Sequence, residues 1–350
     1  MNDLSRHPKL RQLARNLHIP DNGDCLRELR DHAIATVQTM LTQWTVNTIE
    51  ELRMLVADRL SVKLGFLHTD EDLDRIATTY GHVMGHFRRV LRAEFLKSDT
   101  EGLLIDNPKP GKGGRDYLAI IDARGPRKMR SYFTAWHELA HLLLYPPRQL
   151  VLDGFRRTPA ENAKHKDPVE SAVDHIAGLL AFWEPLFTPA LRSTANEELT
   201  FAAIERATIA VAPGASLYAA SLAAIRSWPG PAAFLTAEIA SKKDGSVPSL
   251  RVQTIIQNDL ARDYDCRVHK HMRVPTSSVL QRAFHDLLGR PHTATENQAW
   301  WEVSDRGPLP PLQWHLHAVR RGPAVYGLLT NMSTVAAVPY REFLLRGATR

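Results

Sequence analysis

The sequence predicts an α+β protein with a mostly helical N-terminal part and a C-terminal part that contains several strands. Through residues 1–100, apolar residues recur at the three- and four-residue spacing of amphipathic helices. Beyond residue 230, short runs rich in β-branched and aromatic residues are separated by turn residues. The 350 residues suffice for two or three domains. We expect three segments, at 1–190, 191–229 and 230–350.

The composition is that of a globular protein, with 44% hydrophobic and 23% charged residues. Only Cys25 and Cys266 carry thiols, which argues for a reducing compartment and against a disulfide scaffold. The first residues do not resemble a secretory signal, and no apolar run reaches the roughly 20 residues of a membrane span. We therefore expect a cytoplasmic protein with no membrane partner. The net charge of +6 comes from scattered basic residues, so we expect no direct nucleic-acid binding.

Helix and strand signals alternate in the N-terminal part. Thr48, followed three residues later by Glu51, is a capping box that predicts the start of a helix. Residues 103–105 and 117–122 are typical of short buried strands. The Gly- and Pro-rich segment 107–114 predicts a loop. It lacks the Lys-Ser/Thr ending and the following helix of a phosphate-binding loop.

Residues 131–145 predict a helix that begins after the N-cap Ser131 and ends before two prolines. Within it, His137 and His141 are one turn apart and project from the same face. Two imidazoles at this spacing can hold a zinc ion. Glu138 lies beside them, where it can act as a general base toward a water molecule on the metal. The pattern could arise by chance in a histidine-rich chain, but its place within an apolar helix favours a metal site.

A catalytic zinc site normally has three protein ligands, and residues 167–180 offer a third. Pro168 suits a first helical turn, after which Glu170 and Asp174 share one face at a four-residue spacing. Glu170 could bind the metal while Asp174 accepts a hydrogen bond from a ligand imidazole. On spacing alone, a solvated acidic helix face explains the pair equally well. The other candidates for the third ligand are Glu161, His165 and Asp167.

These two helices together resemble the ImmA/IrrE family of metallopeptidases. The matching motifs are Arg-x-x-Phe-Thr-x-x-His-Glu-x-x-His, from residue 130, and Glu-x-x-Val-Asp-x-Ile-Ala-Gly, from residue 170. The resemblance implies that His137, His141 and Glu170 bind the metal and that Glu138 is the catalytic base. It also implies a mostly helical, zincin-like peptidase domain with a small sheet. The chain differs from the family pattern at Asp122, at Ala140 and at residues 182–185, none of which is a proposed ligand.

The resemblance further implies a function. It predicts a zinc-dependent endopeptidase that cuts a helix-turn-helix transcriptional repressor and so derepresses stress-response or mobile-element genes. Zinc is the expected metal, although Mn²⁺ or Fe²⁺ can also occupy a site of nitrogen and oxygen ligands. The side chain that stabilises the oxyanion is left open among Tyr117, Tyr145 and His175.

The alternative hypothesis is a regulator that binds DNA or a protein and carries a non-catalytic metal site. Residues 199–228 predict two helices around Pro213, as in a helix-turn-helix. The second helix offers Tyr218, Ser221 and little else for reading bases, so a structural helical pair is preferred. A structural zinc site would also normally need four Cys or His ligands.

The C-terminal segment predicts an α+β module, which is sensor-like by the same resemblance. Its elements are strands at 233–239, 250–256, 300–303, 314–319 and 325–329 and a helix at 279–288. His315 and His317 occupy alternate strand positions and so share a face, and His269 and His271 are also present. No further partner at a metal-ligand spacing is evident, so we interpret these four as exposed strand histidines rather than as a second metal site.

Overall fold

The chain folds into two compact units in this computed structural model. The structure describes residues 4–20, 22–81, 87–97, 100–106, 117–145, 155–157, 167–196, 198–241, 247–303 and 307–334. Unit 1 is Met1–Phe187 with Ile209–Ser216, and unit 2 is Thr188–Thr208 with Leu217–Arg350. The predicted middle segment, 191–229, is thus divided between the two units. Gly214 lies against the Tyr132 ring in unit 1, whereas the helix after it packs on strands of unit 2.

Unit 1 combines helices with one small sheet. Its helices are α1 (Pro8–Asn16), α2 (Cys25–Leu41), α3 (Ile49–Arg59), α4 (Asp70–Gly81), α5 (Phe87–Lys97), α6 (Lys128–Leu144) and α7 (Pro168–Leu180). Its strands are β1 (Val62–Leu67), β2 (Gly102–Asp106), β3 (Tyr117–Asp122) and β4 (Phe155–Arg157), in the order β1-β3-β2-β4. Strand β3 pairs parallel with β1 and antiparallel with β2, which also pairs antiparallel with β4. The helix α8 (Glu184–Ala195) begins in unit 1 and ends in unit 2.

Local signals account for much of unit 1. The Thr48 hydroxyl accepts a hydrogen bond from the Glu51 backbone N–H (3.1 Å), which confirms the predicted start of α3. The strands predicted at 103–105 and 117–122 are confirmed as β2 and β3, and β3 is buried along its whole length. The expectation of helices throughout 1–100 missed β1. That strand is stabilised by parallel pairing with β3, a distant segment that local periodicity does not reveal.

Unit 2 contains a five-stranded antiparallel sheet. Its elements are α10 (Leu217–Ser227), β5 (Ala233–Ala240), β6 (Ser249–Gln257), α11 (Asp259–Asp263), α12 (Val279–His285), β7 (His292–Asn297), β8 (Glu302–Val303), β9 (Gly307–Pro308), β10 (Leu312–Arg321) and β11 (Ala324–Thr334). The helix α9 (Phe201–Val211) precedes them; it begins in unit 2, and its last three residues belong to unit 1. The strand order of the main sheet is β6-β5-β11-β10-β7, and β8 pairs with β9 separately. The α+β class is therefore confirmed for the chain.

The two faces of the unit 2 sheet differ. One face packs into a core with α11 and α12, which includes Leu280, Trp301 and Trp314. On the other face, the Tyr218 ring of α10 packs edge-on against Phe234 at 5.5 Å. The helical pair predicted at 199–228 is confirmed as α9 and α10.

Two sequence expectations for unit 2 need correction. Of the strand predicted at 300–303, Trp300 ends a 3-10 turn (Gln298–Trp300) and Trp301 follows it, so only Glu302 and Val303 pair, as β8. Strand β7 was not predicted because its sequence, His-Thr-Ala-Thr-Glu-Asn, has no apolar alternation; pairing with β10 defines it. Among the residues described, none of the helices has both the length and the apolar character that a membrane crossing requires.

Candidate metal centre

Helix α6 carries the His-Glu-x-x-His motif across the small sheet of unit 1. It begins at Lys128, directly after a 3-10 turn at Gly125–Arg127, and ends at Leu144. Ser131 is therefore not the N-cap that the sequence predicted; its hydroxyl donates to the Lys128 carbonyl within the first turn (2.8 Å). The segment that begins at Pro146, which we expected to end the helix, lies outside the described residues.

Helix α7 packs against α6 and supplies the acidic side chains of the site. The Tyr132 hydroxyl donates to the Ala181 carbonyl at 2.6 Å and so ties α6 to the end of α7. Asp167 is the N-cap of α7 and accepts from the Val169 N–H at 2.8 Å; it also pairs with Lys9 of α1 at 2.5 Å. Asp167 thus caps α7 and anchors α1, and the other two competing ligands, at 161 and 165, lie outside the described residues.

The two histidine Nε2 atoms and the Glu170 carboxylate converge between α6 and α7. The His137 and His141 Nε2 atoms are 3.1 Å apart. Glu170 Oε2 lies 3.2 Å from His137 Nε2, and Glu170 Oε1 lies 3.5 Å from His141 Nε2. Two ligands bound to zinc at about 2.0–2.1 Å in a tetrahedral arrangement are about 3.4 Å apart. The three separations are close to this value, with the two Glu170 distances measured to different oxygens of its carboxylate, so the two imidazoles and this carboxylate fit a zinc ion.

Asp174 lies one turn beyond Glu170 and contacts the other side of the His137 ring. Its Oδ1 atom is 2.7 Å from His137 Nδ1. This contact favours the tautomer in which Nδ1 carries the proton and Nε2 is directed, unprotonated, at the ligand cluster. Both imidazoles are almost wholly buried, whereas Glu170 and Asp174 are partly exposed. The site is thus closed on the α6 side and open on the α7 side.

Glu138 projects from α6 toward strand β2 and is fully buried. A Cβ atom at Gly102 would lie only 2.4 Å from Glu138 Oε1 and 2.7 Å from Thr134 Cγ2. Glycine at position 102 is therefore needed to leave room for the Glu138 carboxylate. Next to it, buried Glu101 accepts a hydrogen bond from Arg130 at 2.5 Å, which ties β2 to the first turn of α6.

A cavity of about 440 Å³ opens beside Glu170. One wall is α1, which contributes Lys9, Gln12 and Asn16, and the opposite wall includes Tyr145. The sequence of α1 does not reveal that the helix lines this cavity, because its amphipathic pattern is that of an ordinary structural helix.

Of the three oxyanion candidates, the structure places Tyr145 at the site. Its ring centroid is 6.2 Å from that of His141, and it lines the same cavity as Glu170. Burial, together with the charges of Glu170 and Asp167, raises the pKa of Tyr145 to about 12, so its hydroxyl remains a proton donor at neutral pH. The other two candidates stay unranked: Tyr117 opens β3, and His175 is half-buried on α7.

Asp122, one of the departures from the family pattern, ends β3 and is buried in an arginine network. Its two oxygens accept from Arg124 (Nε at 3.0 Å and Nη2 at 2.7 Å) and from Arg127 Nη1 (2.5 Å). Burial alone would raise the pKa of Asp122, but these hydrogen bonds hold it below its ordinary value. The Asp122 carboxylate thereby fixes the turn that leads into α6.

Within the described residues, two groups of His and Glu side chains could hold a metal ion. One is the predicted set His137, His141 and Glu170. The other, Glu198 with His315 and His317, lies in unit 2. The interpretation of these histidines as exposed is wrong for His317, which is buried, and His315 is half-buried. Glu198, in the loop before α9, contacts both, a partner that strand periodicity could not reveal.

Comparisons with known proteins leave the family open. No protein-family model matches the chain, and no curated protein matches its sequence. Among solved structures, the chain is similar to a Mycobacterium tuberculosis transcriptional regulator, with a TM-score of 0.38 and 13% identity. That similarity covers 92% of this chain and 80% of the other, and at this TM-score it carries no argument about function.

Proposed function

We propose that the chain is a zinc-dependent endopeptidase whose metal ligands are His137, His141 and Glu170. The observation that carries this proposal is the set of 3.1, 3.2 and 3.5 Å separations among the two histidine Nε2 atoms and the carboxylate oxygens of Glu170. A set of two imidazoles and one carboxylate leaves a fourth position open, as catalytic zinc sites do and closed structural sites do not. Glu138, at the next position of the same helix, supplies the base that a purely structural site would not need.

Each side chain of the site has a separate role in the proposed hydrolysis. When bound, zinc supplies a Lewis acid that polarises the scissile carbonyl and makes a water molecule more acidic. The Glu138 carboxylate takes the proton from the attacking water and delivers it to the leaving amine. Asp174 holds the His137 ring in orientation through the 2.7 Å contact to Nδ1. We assign to the Tyr145 hydroxyl a hydrogen bond to the developing oxyanion.

The substrate class follows from the resemblance of the two motif helices to the ImmA/IrrE family. We propose a helix-turn-helix transcriptional repressor, cut in the cytoplasm so that stress-response or mobile-element genes are derepressed. The cavity beside Glu170 supports a peptide substrate, because it provides about 440 Å³ next to the ligand cluster and is lined by polar side chains of α1.

The structure offers little support for DNA reading by α10. The two side chains available for base contacts in that helix, Tyr218 and Ser221, are engaged within unit 2: the first packs against Phe234 at 5.5 Å, and the second is fully buried. We therefore propose a structural role for the α9–α10 pair.

The proposal is tested by co-expressing the chain with a helix-turn-helix repressor encoded next to it and identifying products by mass spectrometry. We expect one specific truncation, slowed by about 10²–10⁴-fold in Glu138→Gln, which removes the base but no metal ligand. Glu184→Gln, which changes an exposed carboxylate at the start of α8, is the matched control and should cleave normally. The same truncation at an equal rate in Glu138→Gln would refute the mechanism.

A further inference from the structure

We propose that Glu198, His315 and His317 form a second divalent metal site, located in unit 2. It shares no residue with the site between α6 and α7, and it does not depend on the proposed peptidase activity. All three residues belong to one compact unit, and each offers one ligand atom within 4.8 Å of the others.

The three side chains converge on a single point. Glu198 Oε1 lies 2.7 Å from His315 Nδ1 and 3.1 Å from His317 Nε2. The two rings are close to each other as well, with centroids 4.6 Å apart. Alternate positions on β10 place both histidines on one face of the sheet, and the Glu198 loop covers that face. One carboxylate oxygen facing two imidazole nitrogens is an arrangement that a cation between them would favour.

The surroundings leave one side of this cluster accessible. His315 is paired with Thr295 and His317 with Thr293 on β7, the edge strand of the sheet. Residues directly opposite in an antiparallel pair point to the same face, and both threonines are exposed. An ion can therefore reach the cluster from the β7 side, while buried His317 closes the other side.

The ligand types define the class of ion. Two imidazole nitrogens and one carboxylate oxygen suit Zn²⁺ and its first-row neighbours and do not suit Ca²⁺ or Mg²⁺, which prefer all-oxygen sites. Three protein ligands with an open fourth position are typical of an accessible site rather than of an enclosed structural one. Glu198 and His315 are partly exposed, at 40% and 32%, so both can adjust to metal-ligand distances of about 2.0–2.2 Å. We infer an exchangeable site that binds zinc reversibly.

The test is equilibrium dialysis of the full chain against Zn²⁺, with bound metal counted by mass spectrometry. In Glu170→Gln, which disables the first site, we expect one saturable zinc per chain. Adding Glu198→Gln or His315→Asn should weaken that binding by more than about a hundredfold, since even groups that only orient ligands change affinity by about 10–100-fold. His269→Asn, at an exposed histidine outside the cluster, is the matched control and should leave it unchanged.

Two further measurements keep the test decisive. Both substitutions are at partly exposed side chains, so the metal-free melting temperature should stay that of the parent chain, which excludes unfolding as the cause of lost binding. Loading Glu170→Gln with Co²⁺ should give ligand-field absorption that disappears with Glu198→Gln. Zinc and Co²⁺ binding unaffected by Glu198→Gln and His315→Asn would overturn the second site. If instead Glu170→Gln loses no zinc relative to wild type and its zinc is lost on adding Glu198→Gln, the peptidase site fails while the unit 2 site stands.

Discussion

Substitution of Asp174 should weaken metal binding at the first site without removing a ligand. The 2.7 Å contact between Asp174 Oδ1 and His137 Nδ1 is a hydrogen bond to a charged acceptor, worth about 1.5–3 kcal/mol. Asp174→Asn keeps a neutral acceptor, worth about 0.5–1.5 kcal/mol, so the net loss is about 1–1.5 kcal/mol. Asp174→Ala loses the whole interaction. At 1.4 kcal/mol for each tenfold change, we expect zinc affinity to fall about tenfold in the first variant and up to about a hundredfold in the second.

The assay is competition for zinc against a chromophoric chelator, which needs no peptide substrate. Glu184→Gln is the control, because it removes an exposed carboxylate on the next helix, α8. If the Asp174 carboxylate orients and polarises His137, zinc affinity should be highest in wild type, lower in Asp174→Asn and lowest in Asp174→Ala. Equal zinc affinity in all three proteins would show that the Asp174–His137 contact contributes nothing to metal binding and would refute this role of Asp174.

Three further predictions concern buried positions outside the proposed ligand sets. In Gly102→Ala the new Cβ would lie 2.4 Å from Glu138 Oε1, so the carboxylate must move by about 1 Å to reach ordinary contact. Cleavage should therefore fall about a hundredfold while zinc is retained. Gly65→Ala on β1 is the control, and normal cleavage by Gly102→Ala would contradict the placement of Glu138 as the base. Asp122→Asn should lower the free energy of unfolding in urea by about 3 kcal/mol at pH 7. The folded-state pKa of Asp122 is depressed, so the stabilisation by its carboxylate is present above the unfolded-state pKa and is lost as pH falls through the folded-state pKa. A difference in unfolding free energy between wild type and Asp122→Asn that stays the same in acid would contradict this. Burial raises the pKa of Glu296 in the folded protein, so wild type loses stability as pH rises from the unfolded-state pKa to the folded-state pKa of this group. Glu296→Gln should therefore be more stable than wild type at pH 7, and the two free energies of unfolding should converge in acid. A difference between the two proteins that does not change with pH would contradict this.

The ligand cluster between α6 and α7 was predictable because its geometry is local. A helix fixes residues four apart on one face, so the spacing alone placed His137 beside His141 and Glu170 beside Asp174. Which acidic residue of the second helix faces the histidines was not fixed by spacing and required the resemblance. The structure brings the two pairs together at hydrogen-bond and ligand distances.

What the sequence could not predict depends on contacts between distant segments. The close approach of Gly102 to Glu138 requires β2 to lie beneath α6, and neither strand nor helix periodicity specifies that register. The cavity wall formed by α1 depends on the docking of that helix at α7 through Lys9. Glu198 and His317 are 119 residues apart in sequence, so the unit 2 cluster becomes visible only when the sheet has formed.

The central claim is that His137, His141 and Glu170 bind a metal ion, and its most direct test is the metal content of the purified chain. Wild type and Glu170→Gln would be supplied with zinc, freed of excess ion and compared by mass spectrometry. The account predicts that the variant holds about one zinc fewer per chain than wild type. Equal zinc in the two proteins, or no zinc in wild type, would contradict it and remove the basis for the peptidase.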